Sequence, residues 1–263
     1  MKILGKIQLT LVQLDNYGPW TVKPSPKPEP YIQSLQGRLF SDIEEEFSAR
    51  GGLVFSTRFD NMLAVSNGIS LEEHENIQEK IHEKYPVTFS MGVGVAEEPY
   101  EAQRVASDAL RKAGGSRSPD RKGALVGKTL ESADGNLVQI AHIDVNHSTS
   151  LTNNNPIYDT HHLIQRVHLA LMSSLVPFGA LVFYMGGDNF MAPSNGLNEN
   201  NLSAVFEKIK RGLGAGLKAG VGIGVNAVES ARLASQGLHD IRNGSSEKQI
   251  IFRYSDGKMK AEN

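Results

Sequence analysis

Apolar positions gather in two kinds of run, and each kind occurs twice along the chain. The short stretches at 7–14 (IQLTLVQL) and 137–143 (LVQIAHI) predict buried strands, each leading into an aspartate. Leu35, Leu39, Ile43 and Phe47 recur every fourth residue, which predicts a helix over 31–49, with a counterpart over 157–175. Next come two apolar segments around a tight turn holding Asp60 or Asp188, then a polar helix at 72–84 or 200–211. A glycine-rich strand at 87–95 or 217–225 and a final helix at 99–113 or 227–241 complete each set. Before the first helix of each set, NYGPWTVKPSPKPEP and VNHSTSLTNNNP carry prolines and asparagines that argue against a regular element. The order βαββαβα is that of an α/β (α+β) domain with a mixed sheet and helices on one face, a palm-like or ferredoxin-like arrangement.

The two sets are copies. A shift of 128 positions lays Asp60-Asn61 on Asp188-Asn189, Ser66-Asn67-Gly68 on Ser194-Asn195-Gly196, and Gly92-Val93-Gly94 on Gly220-Val221-Gly222. At the same shift Glu101, Arg104, Ala106, Ser107 and Leu110 meet Glu229, Arg232, Ala234, Ser235 and Leu238. Asp15 meets Asp144 at a shift one residue larger, as a one-residue length difference between them would give. The expected organisation is a domain at 1–112, a linker rich in Gly, Ser and charge at 113–135, and a second domain at 136–263.

Composition narrows the chemistry. The chain has 263 residues, 40% of them hydrophobic, a formal charge of −2 and no cysteine. That charge gives no general reason to expect nucleic acid as a partner. Thiolate zinc chemistry is excluded, and a zinc site would need His, Asp and Glu alone. The N-terminal stretch lacks a signal-peptide core, and no apolar run reaches the ~20 residues that span a bilayer, so a soluble cytoplasmic protein without membrane contact is expected.

The aspartates are the candidate chemistry. Asp15 and Asp60 stand 45 residues apart, Asp144 and Asp188 stand 44 apart, and in each copy one ends a strand while the other tops a hairpin. If those strands are neighbours, two carboxylates share one cleft, which is costly without a cation between them. Oxygen ligands of this type suit Mg²⁺ together with substrate phosphates. A lone Asp in a turn needs no such reading, since it favours the turn by itself. It is the repetition that favours metal. Beside Asp15, the NYGPW stretch (Asn16, Tyr17, Gly18, Trp20) offers backbone N–H groups for phosphate oxygens, and aromatic rings that either stack on a base or pack into the core. Lys218 and Arg58 either pair with a phosphate or are simply solvated. His142, His147, His161, His162 and His168 have no parallel in the first copy, and metal binding by them is not expected.

QLDNYGPWT, GGLVFSTRFDN, QIAHIDVN and GGDNFMAPSNG together span nearly the whole chain. MGGDNF with HIDVN upstream resembles the signature of GGDEF diguanylate cyclases, nucleotidyl cyclases and polymerase palms. The full combination is similar to the archaeal GTP cyclohydrolase III family. That resemblance implies a Mg²⁺-dependent enzyme that takes GTP and opens the guanine imidazole ring at C8. It also implies phosphate hydrolysis, giving 2-amino-5-formylamino-6-ribosylamino-4(3H)-pyrimidinone 5′-phosphate and inorganic phosphate in flavin or deazaflavin coenzyme biosynthesis. It assigns Asp15, Asp60, Asp144 and Asp188 as metal-binding catalytic carboxylates. Asn16 and Asn61 become candidate contacts to base or ribose, Asn189 joins the second cleft, and Gly186-Gly187 let a nucleotide approach backbone. A homo-oligomer, in the family a tetramer, is also implied. Two departures from the cyclase pattern matter: Asn61 and Asn189 replace an acid, which argues against cyclic dinucleotide synthesis, and Arg58-Phe59 replaces the double glycine in the first copy. The competing readings are a nucleotidyl or diguanylate cyclase and a non-catalytic GTP-binding regulatory module.

Overall fold

The computed structural model describes residues 4–118, 120–130, 135–146 and 148–255. The chain forms two compact units. Among the described residues the first domain holds those within Lys6–Glu97 and Glu101–Asn136; the second holds those from Leu137 to Ser255 and takes in Glu98–Tyr100 and Leu4–Gly5.

The first domain contains β1 (Ile7–Leu14), α1 (Tyr17–Val22), α2 (Glu29–Ser48), β2 (Leu53–Arg58), β3 (Asn61–Val65), α3 (Leu71–His82), β4 (Phe89–Ala96), α4 (Pro99–Lys112) and β5 (Leu125–Gly127). The second contains β6 (Val138–Val145), α5 (Ser148–Asn154), α6 (Ile157–Leu175), β7 (Phe183–Gly186), β8 (Asn189–Pro193), α7 (Glu199–Leu213), β9 (Leu217–Gly224), α8 (Ala227–Arg242) and β10 (Ile250–Tyr254). The strand orders are β2-β3-β1-β4-β5 and β7-β8-β6-β9-β10. Only the last pair in each sheet is parallel. The duplicated α/β architecture is therefore as the pattern implies. No helix among the described residues is long and apolar enough to cross a membrane.

Three local expectations are corrected. Short helices α1 and α5 form inside the stretches expected to be irregular. Pro19 is tolerated because it lies in the first turn of α1, where a backbone N–H has no intrahelical acceptor. Each sheet also has a fifth strand, β5 or β10, and β5 falls within the stretch expected as a linker. Finally, the helices cover both faces of each sheet. In the first domain Leu35, Leu39, Ile43 and Phe47 of α2 pack with Ile77 and Ile81 of α3 against Val12, Leu14, Met62 and Met91. The alternate residues of β4, Gly92 and Gly94, point the other way and lie against α4. A parallel fifth strand requires a crossover, and α4 and α8 provide it on that second face.

The Ser-Asn-Gly repeat proves to be a clamp. Gln8 Nε2 donates to Ser66 O (2.7 Å) and Ile69 O (2.9 Å), while Asn67 Oδ1 accepts from the Gln8 N–H (2.8 Å). Gln139 Nε2 donates likewise to Ser194 O and Leu197 O (both 2.8 Å), and Asn195 Oδ1 accepts from the Gln139 N–H (2.9 Å). Gly68 and Gly196 follow with φ of +87° and +90°, where other residues are strained.

The glycines under α8 allow no methyl group. A Cβ on Gly220 would lie 1.9 Å from Ala234 O, whereas one on Gly212 in α7 would meet nothing within 4 Å. Gly220→Ala is expected to destabilise the second domain by on the order of 3 kcal/mol or more, and Gly212→Ala to be neutral or stabilising by up to ~1 kcal/mol, both read by urea unfolding. Glu44 of α2 gives a pH signature. Burial pushes its carboxyl from 4.5 up to about 7, against a hydrogen bond from the Val54 N–H. Since the folded value lies above the unfolded one, stability falls as pH rises from about 4.5 to about 7 and is flat beyond. Glu44→Gln is expected to raise Tm at pH 8 by about 2–4 °C and to leave it unchanged at pH 4.5.

Candidate active site

Sheet register decides which residues of the two copies correspond. Gln13 of β1 faces Asn61 on β3 and Ser90 on β4. Asp144 of β6 faces Asn189 on β8 and Lys218 on β9. Asn61 to Asn189 and Ser90 to Lys218 are both shifts of 128, so the counterpart of Asp144 is Gln13. The counterpart of Asp15 is Asn146: their N–H groups donate to Thr88 O (2.9 Å) and Gly216 O (2.8 Å), again 128 apart. Laying Asp15 on Asp144 is thus a register slip of two residues. A slip of one would have moved every side chain to the other face, but a slip of two preserves the apolar alternation and leaves no trace in it. Asp60 and Asp188 do correspond, accepting through their carbonyls from Leu14 and Val145 N–H.

In the first domain the end of β1 is a buried ion pair. Asp15 Oδ1 accepts from Ser90 Oγ (2.7 Å) and Arg121 Nε (3.1 Å), and Oδ2 from Thr88 Oγ1 (3.0 Å) and the Gly123 N–H (2.9 Å). The Arg121 and Asp15 side chains are 1% and 2% exposed. Arg121 also donates to Gln13 Oε1 (2.8 Å), and Gln13 in turn donates to Asn61 Oδ1 (2.7 Å). Asp60 stands apart on the hairpin, held through both oxygens by Arg58 at 3.0 and 2.7 Å. Burial raises its pKa, but hydrogen bonds with Arg58 and Asn61 and the Arg58 charge together outweigh it and hold the carboxyl below its usual range.

Asn16 has a left-handed φ of 50° and is spent on anchoring: its N–H donates to Ser116 O (2.8 Å) and its Nδ2 to Ser118 O (3.2 Å). Tyr17 and Trp20 stack on each other at 5.9 Å and pack against the core. The Tyr17 hydroxyl accepts from Gln36, and Lys27 lies 4.4 Å over the Trp20 ring. Gly18 between them is exposed.

The second domain concentrates charge differently. Asp144, 3% exposed at its side chain, pairs through Oδ2 with Lys218 Nζ (3.0 Å) and Arg242 Nε (2.8 Å). Its Oδ1 is buried and, among the described residues, receives no hydrogen-bond donor. Burial pushes the Asp144 pKa up, but contacts with Arg242, the Asp188 side chain and Lys218 bring it below the usual range. Asn189 donates to Asp188 Oδ1 (3.0 Å) and receives Arg242 at its own Oδ1 (2.8 Å). His142 Nε2 lies 3.0 Å from that same oxygen and Nδ1 lies 3.1 Å from Ser235 Oγ, with burial lowering the pKa of the ring. Gly186 and Gly187, at φ of +102° and +58°, serve the turn, and a Cβ on Gly186 would meet nothing within 4 Å.

In the second domain Arg242 joins the strand end to the hairpin through Asp144 and Asn189, whereas in the first Arg121 holds Asp15 and Gln13 and leaves Asp60 to Arg58; neither Arg121 nor Arg242 is marked by the sequence motifs. Arg121 comes from the stretch expected as a linker, and Arg242 is the last residue of α8. Among the described residues no group of three or more His, Cys, Asp and Glu gathers at metal-binding distance. His161 and His162 are exposed on α6, His168 packs beside Phe190, and His147 lies outside the described residues.

The sequence profile of the GTP cyclohydrolase III family matches residues 8–254. A GTP cyclohydrolase III of Methanobrevibacter smithii is 50% identical over 239 residues, covering 90% of this chain and 94% of that protein. The GTP cyclohydrolase III of Methanocaldococcus jannaschii is 46% identical over 251 residues, covering 95% and 93%. Among solved structures, the GGDEF domain of DgcB from Caulobacter crescentus is similar over 44% of this chain and 77% of its own, with 11% identity and a TM-score of 0.37. A bacterial light-regulated adenylyl cyclase is similar over 94% and 85%, with 11% identity and a TM-score of 0.35. On the match along nearly its whole length, the chain belongs to the GTP cyclohydrolase III family.

Proposed function

We propose that the chain hydrolyses GTP both at the guanine ring and along the phosphate chain. Water adds at guanine C8, the C8–N9 bond breaks, the formyl group stays on N7, and N9 takes the proton as the ribosylamino nitrogen. Hydrolysis along the phosphate chain leaves the 5′-monophosphate and inorganic phosphate, a product that feeds flavin or deazaflavin coenzyme synthesis. The observation that carries this reading is the near-complete alignment, at 44–50% identity, with proteins named GTP cyclohydrolase III. Asn61 and Asn189 at the hairpin tips, where the cyclase pattern has acids, favour it over cyclic dinucleotide synthesis.

The second-domain donor set fits Mg²⁺. Among the described residues Asp144 Oδ1 is buried with no donor, and Asp188 acts on the same carboxylate. Bound there, Mg²⁺ would neutralise phosphate charge and activate water. Lys218 and Arg242 hold the other oxygen of Asp144 and so fix which of the two is presented. Asp15 fits less well, because both its oxygens are occupied by four donors. Asp60 would have to leave Arg58, an exchange made easy by exposure: the Arg58 side chain is 71% exposed, and such pairs contribute about 0–1 kcal/mol. Of the remaining first-domain candidates, Tyr17 lies within electrostatic reach of Asp60, while Asn16 anchors the loop and Trp20 stacks on Tyr17. Lys218 also supplies a cation for phosphate, and Gly186-Gly187 and Asn189 form the tip facing it.

Incubation with GTP and Mg²⁺ should remove the purine ultraviolet band and release phosphate, both stopped by EDTA. An unchanged spectrum refutes ring opening. Two carboxylate substitutions should part company. Asp188→Asn is expected to lower kcat by at least ~100-fold with little change in unfolding midpoint. Asp15→Asn leaves Arg121 buried without its charge partner and is expected to destabilise the fold by about 3–5 kcal/mol.

A further inference from the structure

Asn189 stands where the cyclase pattern has an acid, and its neighbours call for a group that accepts on one side and donates on the other. Its Oδ1 lies 2.8 Å from Arg242 Nη2 and 3.0 Å from His142 Nε2, and its Nδ2 donates to Asp188 Oδ1 at 3.0 Å. The opposite amide orientation would turn an NH₂ group toward the guanidinium and an oxygen toward the carboxylate, so one orientation alone satisfies all three neighbours. The same contact settles the histidine tautomer. An amide oxygen only accepts, hence His142 carries a proton on Nε2, and in the neutral ring Nδ1 accepts from the Ser235 hydroxyl at 3.1 Å. A carboxylate at 189 would accept from Arg242 and His142 equally well. It would have no N–H for Asp188, and it would set a second negative charge beside it.

The first domain lacks this lock. At the position of His142 it has Leu11, which donates nothing, and beside Leu11, Gln13, Asn61 and Ser107 it keeps an open groove of about 540 Å³. In the second domain the imidazole fills the corresponding space and bridges α8 to β8. The hairpin amide itself is common to both copies, since Asn61 hydrogen-bonds with Asp60 and its Oδ1 accepts from the neutral Gln13 Nε2 at 2.7 Å. What the second copy adds is a guanidinium and a ring on that oxygen. Arg242 also gives its Nε to Asp144 Oδ2 at 2.8 Å, so one planar group sets both acids, Asp144 directly and Asp188 through Asn189.

We infer that Asn189 and His142 are positioning residues for Asp188: the amide holds Asp188 Oδ1, and the ring, backed by Ser235 on α8, keeps the amide from turning. This rests on the reading of Asp144 and Asp188 as metal carboxylates, and it takes Asn189 out of direct contact with substrate. A carboxylate aimed in advance by a locked donor presents its oxygens to a cation without first losing its own rotational freedom.

The test is titration of the full chain with Mn²⁺, followed by electron paramagnetic resonance without nucleotide. Asn189→Leu should weaken Mn²⁺ binding by about 10- to 100-fold and His142→Leu, which copies the first domain, by about 10-fold. His142→Gln, whose Nε2 still donates to Asn189, should return to within about 2-fold of wild type. In turnover of GTP the two leucine variants should lower kcat and leave KM within about 2-fold. Wild-type Mn²⁺ affinity in a folded Asn189→Leu overturns the assignment. Should Asn189→Leu not fold, equal affinities in His142→Leu and His142→Gln overturn it, since the ring would then act by its bulk alone. A wild-type chain that binds no Mn²⁺ overturns it as well. Wild-type ring opening is followed separately: an unchanged purine spectrum with variant-sensitive Mn²⁺ binding keeps the positioning role and refutes the cyclohydrolase reading, whereas ring opening with variant-insensitive Mn²⁺ binding keeps that reading and refutes the role.

Discussion

Everything on the second face of each sheet depends on the absence of Cβ atoms from the central strand beneath the last helix. Gly92 and Gly94 admit α4, and Gly220 and Gly222 admit α8, to distances at which a single methyl would collide with helix backbone. Contact this close fixes the helix rigidly and lets it return the chain as a strand parallel to the one it left. It also leaves little height between helix and sheet. One strand residue, leucine or histidine, is then enough to decide whether the remaining space is a groove or a filled interior.

The strand ends show how duplicated backbones diverge through charge. The peptide groups at Asp15 and Asn146 make the same hydrogen bond, yet the buried carboxylate sits at Asp15 in one domain and two residues earlier, at Asp144, in the other. Each acid has drawn in its own cations. Asp15 is matched by Arg121 and by neutral donors that use every lone pair, which makes it a structural fixture. Asp144 is matched by Lys218 and Arg242 on one oxygen only, and among the described residues the other receives no donor, which leaves a buried charge partly uncompensated.

Most of the fold was legible because it is written in periodicities: Leu35, Leu39, Ile43 and Phe47 announce a buried helix face, and the repeat confirms each element by its twin. What escaped lies where local pattern carries no signal. Strand β5 is three residues long and borrows its hydrogen bonds from β4, so nothing local announces it. Gln8 and Gln139 read as polar interruptions of a strand, although they tie it to the Ser-Asn-Gly turn. Among the candidate site residues, Asp15 with Asp60 and Asp144 with Asp188 do come to one sheet end. Their partners Arg121 and Arg242 were invisible because long-range pairing leaves no spacing to read.

Exposure then separates the charges that can act from those that cannot. Arg121–Asp15 is sealed, and removing either member strands a charge in the interior. Arg58–Asp60, in contrast, sits on the rim with the arginine largely in water, where the attraction is nearly balanced by hydration and side-chain entropy.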